Sequence, residues 1–231
     1  MAVVRRIHRT LGAVFGLTLI VAALSGILHQ VMSRTQAPPP KPRPHGTVDL
    51  TRLTFPLSGA VQRLGASAGQ VRMVSVRTIE GRSWYQFLLE DAEKPVYLDA
   101  EDGTVGTDAD ERYARDIARL HLGPEARIRY TAYLTEYDTE YLNIFRILPV
   151  YRFDAEDGRG TRVYVSTMTG SVTRHTDDAK QWEAWVFSNF HKYQFIKHKD
   201  LRDGALITAT AGAAAAAIYG LVLLAFTLRR R

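Results

Sequence analysis

Residues 96–105 read VYLDAEDGTV, and residues 163–172 repeat the pattern as VYVSTMTGSV, 67 positions further along the chain. In each copy alternating apolar residues flank a turn that ends in a glycine, Gly103 or Gly170. A glycine adopts positive φ without steric cost, so this arrangement predicts a β-hairpin. Its repetition predicts that the chain contains two related half-units.

The stretches upstream of each hairpin predict the remaining elements of these half-units. Alternating or β-branched runs predict strands at Val71–Ile79, Trp84–Leu89, Ile128–Leu134 and Val150–Phe153. Helical spacing of apolar residues predicts helices at Leu57–Leu64 and Asp108–Leu122, the second ending near His121, interpreted as a cap. We therefore expect an α+β domain over 49–178 with two half-repeats, about 49–107 and 108–178, each an antiparallel sheet with a helix on one face.

Two uncharged apolar runs flank this domain. They cover 22 residues at 11–32 and 25 residues at 204–228. About 20 apolar residues are enough to cross the hydrocarbon core of a membrane, so both are predicted transmembrane helices. The first is interpreted as an uncleaved anchor, because no A-x-A cleavage site precedes the proline-rich linker at 33–48. Residues 179–203 form a membrane-proximal segment with helical character.

The charge distribution orients these helices. Lys and Arg number 30 against 24 Asp and Glu, a formal charge of +6. That excess equals the six arginines of the two tips, which are Arg5, Arg6, Arg9, Arg229, Arg230 and Arg231. A neutral interior argues against a nucleic-acid partner. The positive-inside rule then predicts cytoplasmic tips at 1–10 and 229–231 and a periplasmic main domain in the inner membrane of a bacterium. Zero cysteines exclude disulfides, thiolate metal sites and iron–sulfur clusters.

Three stretches in a fixed order carry a resemblance to a known family. They are His8-Arg9-Thr10-Leu11-Gly12 with Leu24-Ser25-Gly26 at the end of the apolar helix, the two VY…G.V hairpins, and a tail running from 137–141 through Leu148-Pro149-Val150 to 185–191, Phe195, Asp200 and Asp203. This order resembles the PepSY family, in particular its membrane-anchored branch with PepSY-associated transmembrane helices. The resemblance implies either a soluble-type domain that inhibits or chaperones peptidases, or an inner-membrane reductase. Such reductases bind b-type haem through histidines and reduce ferric iron, often from siderophores, in the periplasm.

Four histidines bracket the predicted spans: His8 on the inner side, and His29, His191 and His198 on the outer side. Ionisable residues within a span indicate function by default, and neutral imidazole is an axial ligand of haem iron. His191 and His198 would lie about 10.5 Å apart on one face of a continuous helix, too far to bind one iron together.

Several arrangements of these histidines remain open. Either His191 or His198 pairs with His29, or they serve different haems in a dimer. Similar depth favours His198, whereas the W-x4-F-H motif of the resembling branch favours His191. The alternative is an interfacial role within an aromatic belt. His8 is either a ligand of an inner haem shared with a second copy or a juxtamembrane basic residue.

Two further patterns bear on partners. Tyr137, Asp138 and Tyr141 are candidate contacts for a ferric acceptor, with a structural loop as the alternative. Small residues recur every four positions at Gly12 and Gly16 and again at Gly212, Ala216 and Gly220. Such spacing allows helices to approach closely and is compatible with a homodimer that forms a four-helix bundle.

We therefore expect an inner-membrane haem b protein that transfers electrons from a quinol or a cytochrome to ferric iron or a ferric chelate in the periplasm. The sequence lacks dinucleotide and P-loop fingerprints, so nicotinamide or flavin chemistry would belong to a partner. The alternative is a non-catalytic binding or regulatory module that engages a peptide or a protease through its sheet edges. An accessory subunit of a larger oxidoreductase fits the same features.

Overall fold

The computed structural model describes residues 2–36, 38, 40, 47–65, 70–90 and 92–229. Most of the expected proline-rich linker and the last two arginines lie outside the described residues. The chain divides into two compact units, one formed by Met1–Ala37 with Ala179–Arg231 and the other by Pro38–Asp178.

The helices and strands follow the predicted order along the chain. The α-helices are α1 (Ala2–Thr35), α2 (Leu57–Arg63), α3 (Ala109–Leu122), α4 (Asp178–Val186) and α5 (Lys199–Leu228). The strands are β1 (Val71–Ile79), β2 (Arg82–Leu89), β3 (Val96–Asp99), β4 (Val105–Gly106), β5 (Ile128–Leu134), β6 (Val150–Ala155), β7 (Arg162–Ser166) and β8 (Ser171–Thr176). Short 3₁₀ turns occupy Leu50–Arg52 and Asn143–Phe145, and a π-helical segment occupies Phe187–His191.

The second unit contains two four-stranded antiparallel sheets. Their strand orders are β1-β2-β3-β4 and β5-β6-β7-β8, so neighbours in sequence are neighbours in each sheet. A helix precedes the four strands in both cases, α2 before the first sheet and α3 before the second. The predicted α+β class with two antiparallel sheets is therefore confirmed.

The turn glycines of the two repeated hairpins are required by the backbone and by packing. Gly103 has φ 75° and Gly170 has φ 65°, as the sequence predicts. A Cβ atom on Gly103 would lie 2.5 Å from the ring of Phe55, and one on Gly170 would lie 2.7 Å from the hydroxyl of Tyr113. No side chain fits at either turn without displacing its neighbour.

The two sheets share α3 as a packing partner. One buried cluster joins Tyr113 and Ile117 of α3 to Tyr97 of the first sheet and to Phe153 and Val163 of the second. The opposite face of the first sheet packs on α2. The opposite face of the second sheet packs on the 3₁₀ turn Asn143–Phe145 and the residues on either side of it. The sequence predicts a separate helix for each sheet, whereas one apolar stripe of α3 is wide enough to contact both.

A buried carboxylate links the sheets through α3. Asp110 accepts hydrogen bonds from the hydroxyls of Tyr97 at 2.7 Å and Tyr151 at 2.8 Å. Gln86 donates to the Tyr97 oxygen at 2.6 Å. Burial, and then the charge of Asp110, raise the pKa of both tyrosine hydroxyls well above their usual range.

The first unit is built from the two terminal helices and the segment before α5. Within the described residues α1 and α5 are both long and apolar enough to cross a membrane, judged by length and composition. Large apolar side chains such as Leu17, Leu24 and Leu221 are exposed along them, as on a lipid-facing surface. The structure is therefore consistent with a two-span membrane protein.

Candidate functional site

Two rows of side chains face each other in the helical unit, each with a spacing of four residues. The row on α1 contains Ser25, His29 and Ser33, which lie on one helix face because their spacing is close to one helical turn. The facing row contains Glu183 of α4, then Phe187 and His191 of the π-helical segment. Hydrogen bonds and ring contacts join the rows, and we call these six residues the histidine cluster.

Toward the C-terminal end of α1, the histidine cluster contains a hydrogen-bonded histidine–carboxylate pair. Nδ1 of His29 lies 2.6 Å from Oε1 of Glu183, and the hydroxyl of Ser33 donates to the same oxygen at 3.2 Å. The carboxylate is largely buried, with its side chain 10% exposed, while the imidazole is 46% exposed. Burying a charge is costly without compensation, so these two donors stabilise the carboxylate.

Nearer to the N-terminal end of α1, the histidine cluster holds His191 against this helix. Nδ1 of His191 lies 3.2 Å from the carbonyl oxygen of Ala22 and 3.3 Å from the hydroxyl of Ser25. Gly26 lies directly beside the ring, since a Cβ atom there would be 3.9 Å from Cε1 of His191. A carbonyl oxygen only accepts, so Nδ1 carries the proton and Nε2 of the neutral ring carries the lone pair.

In a neutral His29 ring, Nδ1 likewise carries the proton and Nε2 the lone pair, because the Glu183 carboxylate only accepts hydrogen bonds. Within the part of the chain that the structure describes, Nε2 of neither His29 nor His191 makes a hydrogen bond. Metal-binding histidines characteristically donate one ring N–H to a carboxylate or a carbonyl and bind the metal through the other nitrogen. Each ring is therefore suited to bind iron on its own.

Phe187 determines whether His29 and His191 can bind one haem together. Its ring stacks on His29 at 4.5 Å and 30°, and on His191 at 4.6 Å and 13°, measured between ring centroids and planes. A haem bound by both imidazoles needs its plane midway between them, perpendicular to the line joining their Nε2 atoms. The Phe187 ring stacks on the faces of both imidazoles, whereas a shared haem would need the Nε2 edges of the two rings to point at each other. As placed, His29 and His191 do not fit as the two axial ligands of one haem.

His198 lies apart from the histidine cluster in sequence and in contacts. The π-helical segment ends at His191, Tyr193 takes φ 54°, and α5 begins only after His198, which is its N-cap residue. The continuous helix assumed for the 10.5 Å estimate is therefore absent. Among the described residues, no hydrogen bond or ring contact joins His198 to His29 or His191.

His8 packs near the other end of α1 against α5. Its Nδ1 donates to the carbonyl oxygen of Ala216 at 3.0 Å, and its ring lies over Gly220, where a Cβ atom would be 3.0 Å from Cε1. Gly212 in turn faces the ring of Phe15. Part of the small-residue stripe of α5 therefore contacts rings of α1. His8 shows the same Nδ1 hydrogen bond as His29 and His191.

An apolar groove of about 640 Å³ lies in the same unit between α1, residues 189–196 and α5. Aromatic side chains, among them Phe15, Phe190 and Phe195, line it together with small residues such as Ala209. This volume lies in the usual range of small-molecule and cofactor sites.

The candidate acceptor contacts at 137–141 have different surroundings. Tyr141 is fully buried, and its hydroxyl lies 2.9 Å from both the Ile147 carbonyl oxygen and the Thr173 hydroxyl, within hydrogen-bond distance of each. Asp138 accepts from the backbone amides of Glu140 and Tyr141 and closes a turn. Burial keeps Tyr141 from contacting a soluble acceptor, whereas Tyr137, 41% exposed, and the exposed Asp138 both keep that prediction.

Sequence reasoning missed Glu183. Its partner His29 is 154 positions away, and nothing in the local sequence pairs them. A usable signal was present, because Glu183 is a carboxylate flanked by Trp182 and Trp185 in a membrane-proximal segment.

Fold and site together define an α+β protein with two apolar helices compatible with membrane spans. Within the described residues, no group of three or more His, Asp or Glu side chains is arranged to hold a metal ion. Comparisons of the chain with protein-family models, with curated proteins and with solved structures found no match.

Proposed function

We propose that the chain is a membrane-anchored member of the PepSY family in a bacterial inner membrane. Both termini then lie in the cytoplasm and the α+β unit in the periplasm. Two features support this proposal. The order of one helix followed by four antiparallel strands occurs twice, with the VY…G.V hairpin closing each copy. Arginines lie at both tips of the sequence, where the positive-inside rule places the cytoplasm.

The protein binds haem b in this proposal, with His29 and His191 as the best supported iron ligands. The observation that carries this assignment is the Nδ1 hydrogen bond of each ring, to the Glu183 carboxylate and to the Ala22 carbonyl. These bonds leave Nε2 with the lone pair and fix the ring orientation. His198 and His8 remain further candidates.

A homodimer completes the proposed sites. Because Phe187 stacks on both rings, the proposal assigns His29 and His191 to different haems, each completed from a second copy. The Gly12 and Gly16 face of α1 is compatible with such contact, since a Cβ atom at either position would meet nothing within 4 Å. Close approach of helices at small residues is the usual way in which membrane helices associate.

Bound haem supplies one-electron transfer, and the polypeptide supplies position and environment. Glu183 holds the His29 ring and keeps its Nδ1 proton, which raises the basicity of Nε2. The Ala22 carbonyl does the same for His191. The electrons come from a quinol or a cytochrome in the membrane and go to ferric iron or a ferric chelate at the periplasmic side.

The test is an electron-transfer experiment on the full chain in detergent, expressed with sufficient haem. Reduction by dithionite is expected to give sharp α and β absorption bands of low-spin haem b. Addition of a ferric siderophore under argon is then expected to restore the oxidised spectrum, with ferrous iron trapped by a chromogenic chelator. Haem that stays reduced with ferric chelate present would contradict the reductase role. Colourless protein would favour the regulatory module instead.

A further inference from the structure

Two histidines of the α+β unit, outside the histidine cluster, have their imidazole edges in contact. Nε2 of His121 lies 3.1 Å from Nδ1 of His175, and the ring centroids are 5.3 Å apart with planes tilted by 60°. Because the nitrogens are much closer than the centroids, the two nitrogen-bearing edges face each other. The contact joins residues 54 positions apart in sequence.

The fold fixes both partners of this pair. His121 lies in the last turn of α3, which packs against the sheet that contains His175. His175 lies in β8 directly opposite Val163 of β7, and Val163 belongs to the core cluster built around α3. Residues opposite each other in antiparallel strands share a face, so His175 lies on the face that α3 covers.

The separation of the two nitrogens is that of two ligands on one metal ion. Late first-row divalent ions bind imidazole nitrogen at about 2.0–2.1 Å, so neighbouring ligands on such an ion lie about 2.8–3.4 Å apart. The distance of 3.1 Å between His121 and His175 falls within this range. In the structure this contact is a hydrogen bond, so one of the two nitrogens carries a proton. When the ion binds, that proton moves to the other nitrogen of the same ring, and rotation about the broad χ2 torsions turns both lone pairs toward the ion.

We propose that His121 and His175 form a binding site for a divalent late transition-metal ion. The two imidazoles are the protein ligands of this proposed site, water fills the remaining positions, and the ion exchanges with chelators. The usual order of affinities for nitrogen ligands predicts the tightest binding for Cu²⁺. This proposal is independent of the proposed haem sites.

Copper titration of the full chain tests the site. The protein is purified in detergent without a histidine tag, and Cu²⁺ is titrated in competition with a chromogenic chelator. We expect His121→Gln and His175→Gln each to weaken the tightest Cu²⁺ binding at least tenfold. His45→Gln, which removes an imidazole elsewhere in the sequence, is expected to leave it unchanged. Unaltered affinity in both pair variants would overturn the proposal.

Two measurements on the unaltered protein remain decisive if the variants fold poorly. Electron paramagnetic resonance of the 1:1 Cu²⁺ complex is expected to show superhyperfine splitting from two imidazole nitrogens. Zn²⁺ is expected to protect His121 and His175, but not His45, from diethyl pyrocarbonate, as read by peptide mass spectrometry. A spectrum without two coordinated nitrogens, or equal modification of these histidines with and without Zn²⁺, would refute the metal site.

Discussion

Oε1 of Glu183 lies 2.6 Å from Nδ1 of His29, and this contact ties α4 to α1. The carboxylate is buried and the imidazole is half exposed, so the pair combines a fixed anion with a ring whose Nε2 is available. The proposed haem chemistry depends on this relationship, because the carboxylate sets both the orientation of the ring and the position of its proton.

Glu183→Gln is expected to keep the shape of the pair and remove its charge. A neutral acceptor makes the imidazole a poorer donor to iron, so we expect a tenfold to hundredfold loss of haem affinity and a higher reduction potential. Haem titration and potentiometry of the purified variant measure both. Glu136→Gln, at a position outside the histidine cluster, is the matched control. An unchanged affinity and potential in Glu183→Gln would separate this residue from haem binding.

Gly212→Val is expected to weaken the packing of α1 on α5. The added side chain would run into the ring of Phe15. Overpacking of this kind costs about 1–3 kcal/mol. Gly204→Val introduces the same residue on the same helix where a Cβ atom would meet nothing within 4 Å, so it controls for the effect of valine on a helix. Unfolding in a titration with denaturing detergent, followed by circular dichroism, compares the two.

Gly16→Val reports on the proposed homodimer. If the Gly12 and Gly16 face meets a second copy, Gly16→Val is expected to reduce self-association while leaving the stability of the monomer intact. Light scattering of the detergent complex measures the mass. Equal dimer content in the variant and the original protein would contradict the use of this face.

Asp110→Ala is expected to destabilise the α+β unit by about 2–5 kcal/mol, because it leaves two buried tyrosine hydroxyls without their acceptor. The lost bonds are those from Tyr97 and Tyr151. Tyr97→Phe combined with Tyr151→Phe in the Asp110→Ala background removes the stranded hydroxyls and is expected to recover part of the loss. Urea unfolding followed by near-ultraviolet circular dichroism gives the free energies. A loss below 0.5 kcal/mol would show that the buried network contributes little.

The same network predicts instability at alkaline pH. Burial and the charge of Asp110 raise the pKa of Tyr97 and Tyr151 in the folded state. Above pH about 10 these hydroxyls ionise in the unfolded chain but not in the folded one, so stability is complete below that pH and is lost above it. The expected slope is about 1.4 kcal/mol per pH unit for each tyrosine. Unfolding between pH 8 and 11 measures it, with Tyr137→Phe as the exposed control.

The elements that sequence predicts best are those determined by local chemistry. The bounds of β1 and β5 match the predicted strands, because alternation is visible within a few residues. The positive φ of Gly103 and Gly170 is predictable because each glycine lies in the turn of a hairpin. The long apolar helices follow from composition alone.

What sequence did not predict depends on contacts between distant segments. Both sheets pack on α3 because its apolar face is wide, and the helical spacing of apolar residues in the sequence does not reveal that width. The break between His191 and His198 follows from a π-helical turn and a left-handed Tyr193, for which the sequence has no glycine signal. Glu183 and His29, like His121 and His175, meet only because the chain folds back.

Haem binding through His29 and His191 is tested by measuring the haem content of four proteins side by side. The original chain and His29→Ala, His191→Ala and His198→Ala are purified identically, and the pyridine haemochrome assay gives haem per polypeptide. We expect haem in the original chain, a marked loss in His29→Ala and in His191→Ala, and a low-spin spectrum that becomes high-spin in any haem that remains. Full haem content with an unchanged spectrum in both of these variants, or no haem in the original chain after reconstitution, would contradict it.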